Sequence, residues 1–372
     1  MMSSGPFILL DSARCRQNIA RMEEKARTNG LVFRPHFKTH QSHAVGRWFR
    51  EVGVNRITVS SAEMAGYFAK DGWNDITIAF PLSRFHVEAV NRLAEDIHMN
   101  ITFSSIRNLL DALPLISQNV GVLIEVDVGH HRTGVNISDT RQIALMVNQV
   151  AENPKLAFRG FIAHAGQSYS VTGEKNVLAI HNQAMGELVK LKSFWSQQYP
   201  EIVISYGDTP TCSLADDFWG VNEIRPGNFV FYDIMQHLIG SCSLDDIALA
   251  LICPVVDVYP EREEAVVHCG AVHLSKDFVL FPESNRCYGL VCPYDGIRWG
   301  APVEGAYVTS LSQEHGIISF GASRQPFPFH VGDLVAILPV HSCLTLDTMG
   351  EMVTESGEKI STMRSRAAWG IR

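Results

Sequence analysis

From about residue 31 to about residue 240, short apolar, β-branched runs alternate with longer stretches of helical periodicity. The runs at 31–33, 56–59, 75–79, 100–103, 120–126, 159–163, 202–206 and 223–225 predict strands. The stretches 44–52, 62–71, 85–96, 106–117, 140–152 and 175–198 predict helices. Ser61, Ser105 and Ser138 or Asp139 stand where N-cap side chains belong. Eight strand–helix units predict a (β/α)8 barrel of the TIM type. A doubly wound sheet shares the alternation and is the second choice. After about residue 245 the runs become short and β-rich (265–268, 306–310, 316–320 and 334–338), broken by glycine, proline and acidic residues. This texture predicts a compact β domain. The expected division is 1–244 for the barrel, its first strand free to join the β domain, and 245–372 for the β domain.

Composition narrows the function classes. The chain has 372 residues, is 46% hydrophobic and carries a net charge of −8, with a pI near 6.0. An acidic balance gives no support to nucleic-acid or anionic-membrane binding. No window approaches the ~18 apolar residues of a membrane helix, and the opening Met1-Met2-Ser3-Ser4-Gly5-Pro6 lacks the regions of a secretory signal. The eight cysteines form no CxxC pair, so reduced thiols in a cytoplasmic protein are expected.

Polar residues gather where the predicted strands end, the face on which barrels build active sites. The first strand ends in Arg34-Pro35-His36-Phe37-Lys38-Thr39-His40. A lysine crowded by a cation and two imidazoles is expected to lose its proton readily, as an amine that attacks a carbonyl must. The fifth ends in Glu125 through Gly134 with Arg132 free to reach a ligand oxygen, and the sixth in His164-Ala165-Gly166-Gln167-Ser168-Tyr169, where an imidazole can stack on an aromatic cofactor. The seventh ends in Tyr206-Gly207-Asp208-Thr209-Pro210-Thr211, an anion cradle of small and hydroxyl residues. The eighth ends in Glu223-Ile224-Arg225-Pro226-Gly227-Asn228, where glycine admits close backbone approach to a phosphate. Each alone also fits an ordinary structural role. Together they suit pyridoxal phosphate, which needs an imine lysine, a phosphate site and a partner for its ring nitrogen. In the β domain, Pro339-Val340-His341-Ser342-Cys343 places an imidazole and a thiol on one face of an expected extended strand, a pair suited to zinc with open positions. His268-Cys269 reads as structural, and His315 as a turn residue or a site-lining base.

These motifs, in this order and across essentially the whole chain, resemble the D-threonine aldolase and eukaryotic-type D-serine dehydratase family, of the alanine-racemase-like fold type of pyridoxal-phosphate enzymes. The resemblance implies a cofactor-carrying barrel, a C-terminal β domain and a homodimer. It implies that Lys38 is the Schiff-base lysine, that Arg132 lies near the cofactor's phenolic oxygen and that His164 stacks on its ring. Thr209, Gly227 and Asn228 would contact the phosphate, Arg225 would face the pyridine nitrogen, and Tyr169 completes the cofactor-binding set. His341 and Cys343 would hold a divalent metal, zinc first and manganese second; a cysteine at the second position leans toward dehydratase. The implied activity is lyase chemistry on β-hydroxy-D-amino acids. The alternatives are an amino-acid racemase without catalytic metal and a non-catalytic pyridoxal-phosphate carrier.

Overall fold

The computed structural model describes residues 5–281, 284–320 and 329–365. Residues 1–4, which open the stretch inspected for a secretory signal, and 366–372 lie outside the described residues. All eight predicted barrel strands are present, and among the described residues they join in one parallel sheet. The spatial order is Val32–Phe33, Glu223–Ile224, Val203–Tyr206, Leu156–Ala163, Val120–Asp127, His98–Phe103, Asp75–Pro81 and Ile57–Val59. The two end strands meet: Thr58 N–H donates to Pro35 O at 2.9 Å and Phe37 N–H to Thr58 O at 2.9 Å, closing the sheet into a barrel. The barrel is thus a (β/α)8 fold, not the doubly wound alternative, because an open sheet would leave these edges unpaired.

The helices follow from their caps. Ser61 accepts from Met64 N–H at 3.1 Å and opens helix Ala62–Ala69; Ser105 accepts from Asn108 N–H at 3.1 Å and opens Ile106–Ala112. Of the two candidates at the next helix, Asp139 is the cap, accepting from Gln142 N–H at 3.0 Å. The helices expected over 85–96 and 106–117 are shorter than that, each with a 3-10 turn at one end.

A strand and a helix not anticipated precede the barrel: Phe7–Leu10, then Ser12–Thr28, capped by Asp11. Phe7–Leu10 belongs to the second sheet, antiparallel to Leu249–Tyr259 with Phe7 opposite Ile252. That nine-stranded sheet runs Glu264–His268, His315–Ser319, Tyr307–Leu311, Gly289–Pro293, Leu334–Pro339, Leu249–Tyr259, Phe7–Leu10, Glu351–Thr354 and Lys359–Ser361. Leu249–Tyr259 also pairs with Glu264–His268, curling one end of the sheet on itself. Its residues 249–253 are fully buried, as a hub strand requires.

Candidate active site

The carboxyl ends of the barrel strands and the segment after Leu334–Pro339 enclose a cavity of about 390 Å³. Lys38 extends into it. Burial depresses the pKa of its ammonium; Cys343 opposes that effect, while Arg132 and Arg225 reinforce it. Of the three neighbours expected from the sequence, His36 lines the cavity beside it, but Arg34 and His40 do not act on it. Arg34 turns away and is neutralised by Glu223 and Asp75, each at 2.6 Å. His40 is buried against Phe49, with ring centroids 5.6 Å apart, and burial pulls its pKa down to about 3. Both hold the loop in shape, whereas the charges acting on Lys38 stand on segments that follow other strands and on the helix that carries Cys343.

Arg225 is placed by a buried relay. Glu223 accepts from Ser205 Oγ at 2.6 Å, and Ser205 Oγ accepts from Arg225 Nε at 2.7 Å. Arg225 Nη2 donates to Ala163 O at 2.6 Å. Burial lowers the Arg225 pKa to about 10, with Glu223 and Glu125 acting against it, so a fixed cation faces the cavity. His164 and Gly207 O are 2.6 Å apart through Nδ1, which makes Nδ1–H the donor. Burial and Arg132 hold the His164 pKa well below the usual range, so the ring presents as a neutral plate.

Gly207 and Gly227 are where two chain turns pass closely. A Cβ on Gly207 would lie 2.8 Å from Arg225 N, and one on Gly227 would lie 3.0 Å from His36 O. Beside these turns, Thr209 Oγ1 and Asn228 Oδ1 are buried without a hydrogen-bond partner among the described residues. Thr209 N–H donates to Tyr169 Oη at 3.1 Å. A phosphate oxygen would accept from the Thr209 hydroxyl, whereas Asn228 Oδ1, itself an acceptor, needs a donor; the threonine and the two glycine turns fit the phosphate of pyridoxal phosphate.

His341 and Cys343 line the same cavity, but not on one face of a strand. The strand ends at Pro339; His341 is the N-cap residue of helix Ser342–Met349, and Cys343 lies in its first turn. The strand-to-helix bend, not a two-residue repeat, brings them together. Cys343 Sγ lies 3.4 Å from Thr39 Oγ1 and 3.4 Å from Asn228 Nδ2. Burial opposes the thiolate, but the adjoining imidazole and Thr39 bring the Cys343 pKa below the usual thiol value. Burial likewise opposes the imidazolium, yet Cys343, Asp233 and Asp277 lift the His341 pKa to about 10. A pair that shares a proton this way offers a divalent cation the same two atoms, so the donor set fits a zinc-like ion. Asp233, fully buried, accepts from Asn228 Nδ2 at 2.6 Å and from Ser342 N–H at 3.1 Å, pinning the segment of His341 and Cys343 to the barrel.

Sequence reading missed Asp233, Asp277 and Asp208, the last with its pKa raised by burial to about 6. Asp208 and Asp233 carried a local signal, each as the capping residue before a helix, Thr209–Leu214 and Ile234–Ile239; Asp277 carried none. His315 does not line the cavity; it lies opposite His268 at the sheet's edge. Near it His268, His273 and Glu314 approach within 4.8 Å. Gly270 N–H donates to His273 Nδ1 at 3.1 Å, which leaves the neutral ring's proton on Nε2, facing Glu314.

Two family models match the chain: the alanine racemase N-terminal domain over residues 10–234 and a putative serine dehydratase domain over residues 248–354. The D-serine dehydratase of Dictyostelium discoideum is 29% identical over 98% of this chain and 97% of its own length. The D-threo-3-hydroxyaspartate dehydratase of Delftia sp. is 29% identical over 91% of each. A solved structure of a D-threo-3-hydroxyaspartate dehydratase, a cysteine-to-alanine variant in the metal-free form, has a TM-score of 0.88, with 26% identity over 98% of each chain. The chain therefore belongs to the alanine-racemase-like pyridoxal-phosphate enzymes, in the family of D-threonine aldolases and eukaryotic-type D-serine dehydratases.

Proposed function

We propose that this chain is a pyridoxal-phosphate lyase that dehydrates β-hydroxy-D-amino acids, with Lys38 as the cofactor lysine and a divalent metal, zinc before manganese, on His341 and Cys343. The observation that carries this reading is a single cavity holding the lysine amine, the His164 plate, the Arg225 cation and the imidazole–thiol pair. A racemase needs acid–base groups on two faces of the α-carbon but no ligand pair, and a carrier needs neither. The cysteine-to-alanine structure titled metal-free supports a metal in a dehydratase relative.

When bound, pyridoxal phosphate supplies an electron sink at the α-carbon, and a metal at the pair supplies Lewis acidity at the β-hydroxyl. Burial disfavours the Lys38 ammonium, and the free amine has a lone pair with which to accept the α-proton. His164 and the Tyr169 hydroxyl, which burial keeps protonated, wall the cavity on the sixth-strand side. Arg225 holds positive charge in the cavity and would serve the cofactor's ring nitrogen, and Arg132 would add charge for an anionic oxygen. Thr209, Gly227 and Asn228 would receive the phosphate. The assembly proposed with this reading is a homodimer in the cytoplasm; no described helix is long and apolar enough to cross a membrane.

A product assay on D-serine, D-threonine and D-3-hydroxyaspartate tests the reading. A 2-oxo acid with ammonia is expected. Glycine with an aldehyde would make the chain an aldolase, and the enantiomer alone a racemase.

A further inference from the structure

The wall beside the imidazole–thiol pair contains a carboxylate that no sequence pattern marks. His341 Nδ1 lies 2.8 Å from Asp277 Oδ2. A neutral imidazole carries one proton, and a carboxylate at this distance holds it on Nδ1. The lone pair then belongs to Nε2, the only ring nitrogen left for a metal. The contact is built from both sides. Asp277 follows the short helix Ala271–Leu274, and Asp277 N–H donates to Ser275 Oγ at 3.2 Å. Helix Ser342–Met349, which begins beside His341, packs on that segment: Thr345 Oγ1 lies 3.3 Å from Leu274 O and Thr348 Oγ1 3.0 Å from His273 O. Carboxylate and imidazole therefore come from two elements locked to each other. Asp277 also lines the cavity and is 44% exposed at its side chain, so its removal leaves no buried charge without a partner.

We propose that Asp277 is a positioning residue for the metal: it fixes the tautomer and orientation of His341 so that Nε2 and Cys343 Sγ present one coordination site. The proposal rests on the reading of His341 and Cys343 as the metal pair. Carboxylates behind ligating imidazoles commonly change metal affinity by about 10- to 100-fold.

The test uses the pyridoxal-phosphate-loaded enzyme, stripped of metal by a chelator and titrated with zinc against a chromophoric competitor. Wild type, Asp277→Ala, Asp277→Asn and His341→Ala are compared. Asp277→Ala should weaken zinc binding by about 10- to 100-fold. Asp277→Asn, whose amide oxygen still accepts from Nδ1–H, should recover most of that loss. The cofactor absorption spectrum and thermal midpoint of both variants should match wild type. Unchanged zinc affinity in Asp277→Ala would overturn the proposal and make the contact a surface ion pair. Equal losses in Asn and Ala would overturn it too, because a directly ligating carboxylate is not replaced by an amide. If His341→Ala binds zinc as wild type does, the metal pair itself is misassigned; if only the Asp277 variants are silent, the pair stands and Asp277 has no part in it.

Discussion

At the scale of single residues, the site depends on charges that no short motif reveals. Lys38 is depressed first by burial and then by Arg132 and Arg225, which stand on segments that follow strands far from it in sequence. Reduction of the holoenzyme with borohydride and peptide mapping should place the cofactor mass on Lys38; a label on another lysine would reject the assignment. The sign of the electrostatic effect can be checked separately. Removing a cation makes the lysine ammonium less unfavourable, so its pKa rises. In apo-Arg132→Met, the pH profile for cofactor association should therefore move to higher pH, because only the free amine condenses with an aldehyde. A profile that stays in place or moves lower would show that Arg132 does not act on Lys38. Thr209 tests the phosphate side. If its buried, unpartnered Oγ1 bonds the phosphate, Thr209→Val should weaken cofactor binding by about 1.5–3 kcal/mol, the worth of a hydrogen bond to a charged group. Equilibrium dialysis would measure it.

At the scale of elements, local signals are strong where a cap and a periodic face coincide. Asp139 accepts from Gln142 N–H at the start of Thr140–Ala151, and Asp139→Ala should cost about 1 kcal/mol in urea unfolding. No change in the midpoint would mean that solvent caps the helix equally well. The eight barrel strands were legible for the same reason: apolar β-branched runs end abruptly in polar, glycine-rich turns. Phe7–Leu10 and Ser12–Thr28 carry comparable signals, a four-residue apolar run and the Asp11 cap, but precede the strand–helix alternation that begins at residue 31. The bend at His341 was misread for a better physical reason. His341 makes no side-chain cap hydrogen bond, and Cys343, Leu344 and Thr345 suit a strand as well as a helix, so nothing local announced the change of element. Asp277 was illegible altogether. It reaches His341 only because two helices pack, 64 residues apart along the chain.

At the scale of the whole molecule, the proposed ion at His341 and Cys343 serves either the fold or only the chemistry. The segment that carries the two residues is held by strand pairing and buried hydrogen bonds. Leu334–Pro339 is paired on both sides, with Leu249–Tyr259 and with Gly289–Pro293. Asp233 clamps Ser342 N–H and Asn228 together, linking the β domain to the barrel through buried hydrogen bonds. Two protein ligands at the end of so supported a strand differ from a closed four-ligand site that supplies folding energy outright. Chelation should therefore abolish turnover of D-serine while leaving the thermal midpoint within a degree or two and the cofactor spectrum intact. Added zinc should restore the rate, and manganese should restore part of it. Cys343→Ala should reproduce the chelated state. Cys343→Asp should respond better to manganese than to zinc, since a carboxylate suits the harder ion. A fall of ten degrees or more on chelation would assign the ion a structural role. Full turnover by the chelated enzyme would instead leave Lys38 to act without Lewis acid assistance, and a racemase or metal-free lyase would then describe the cavity better.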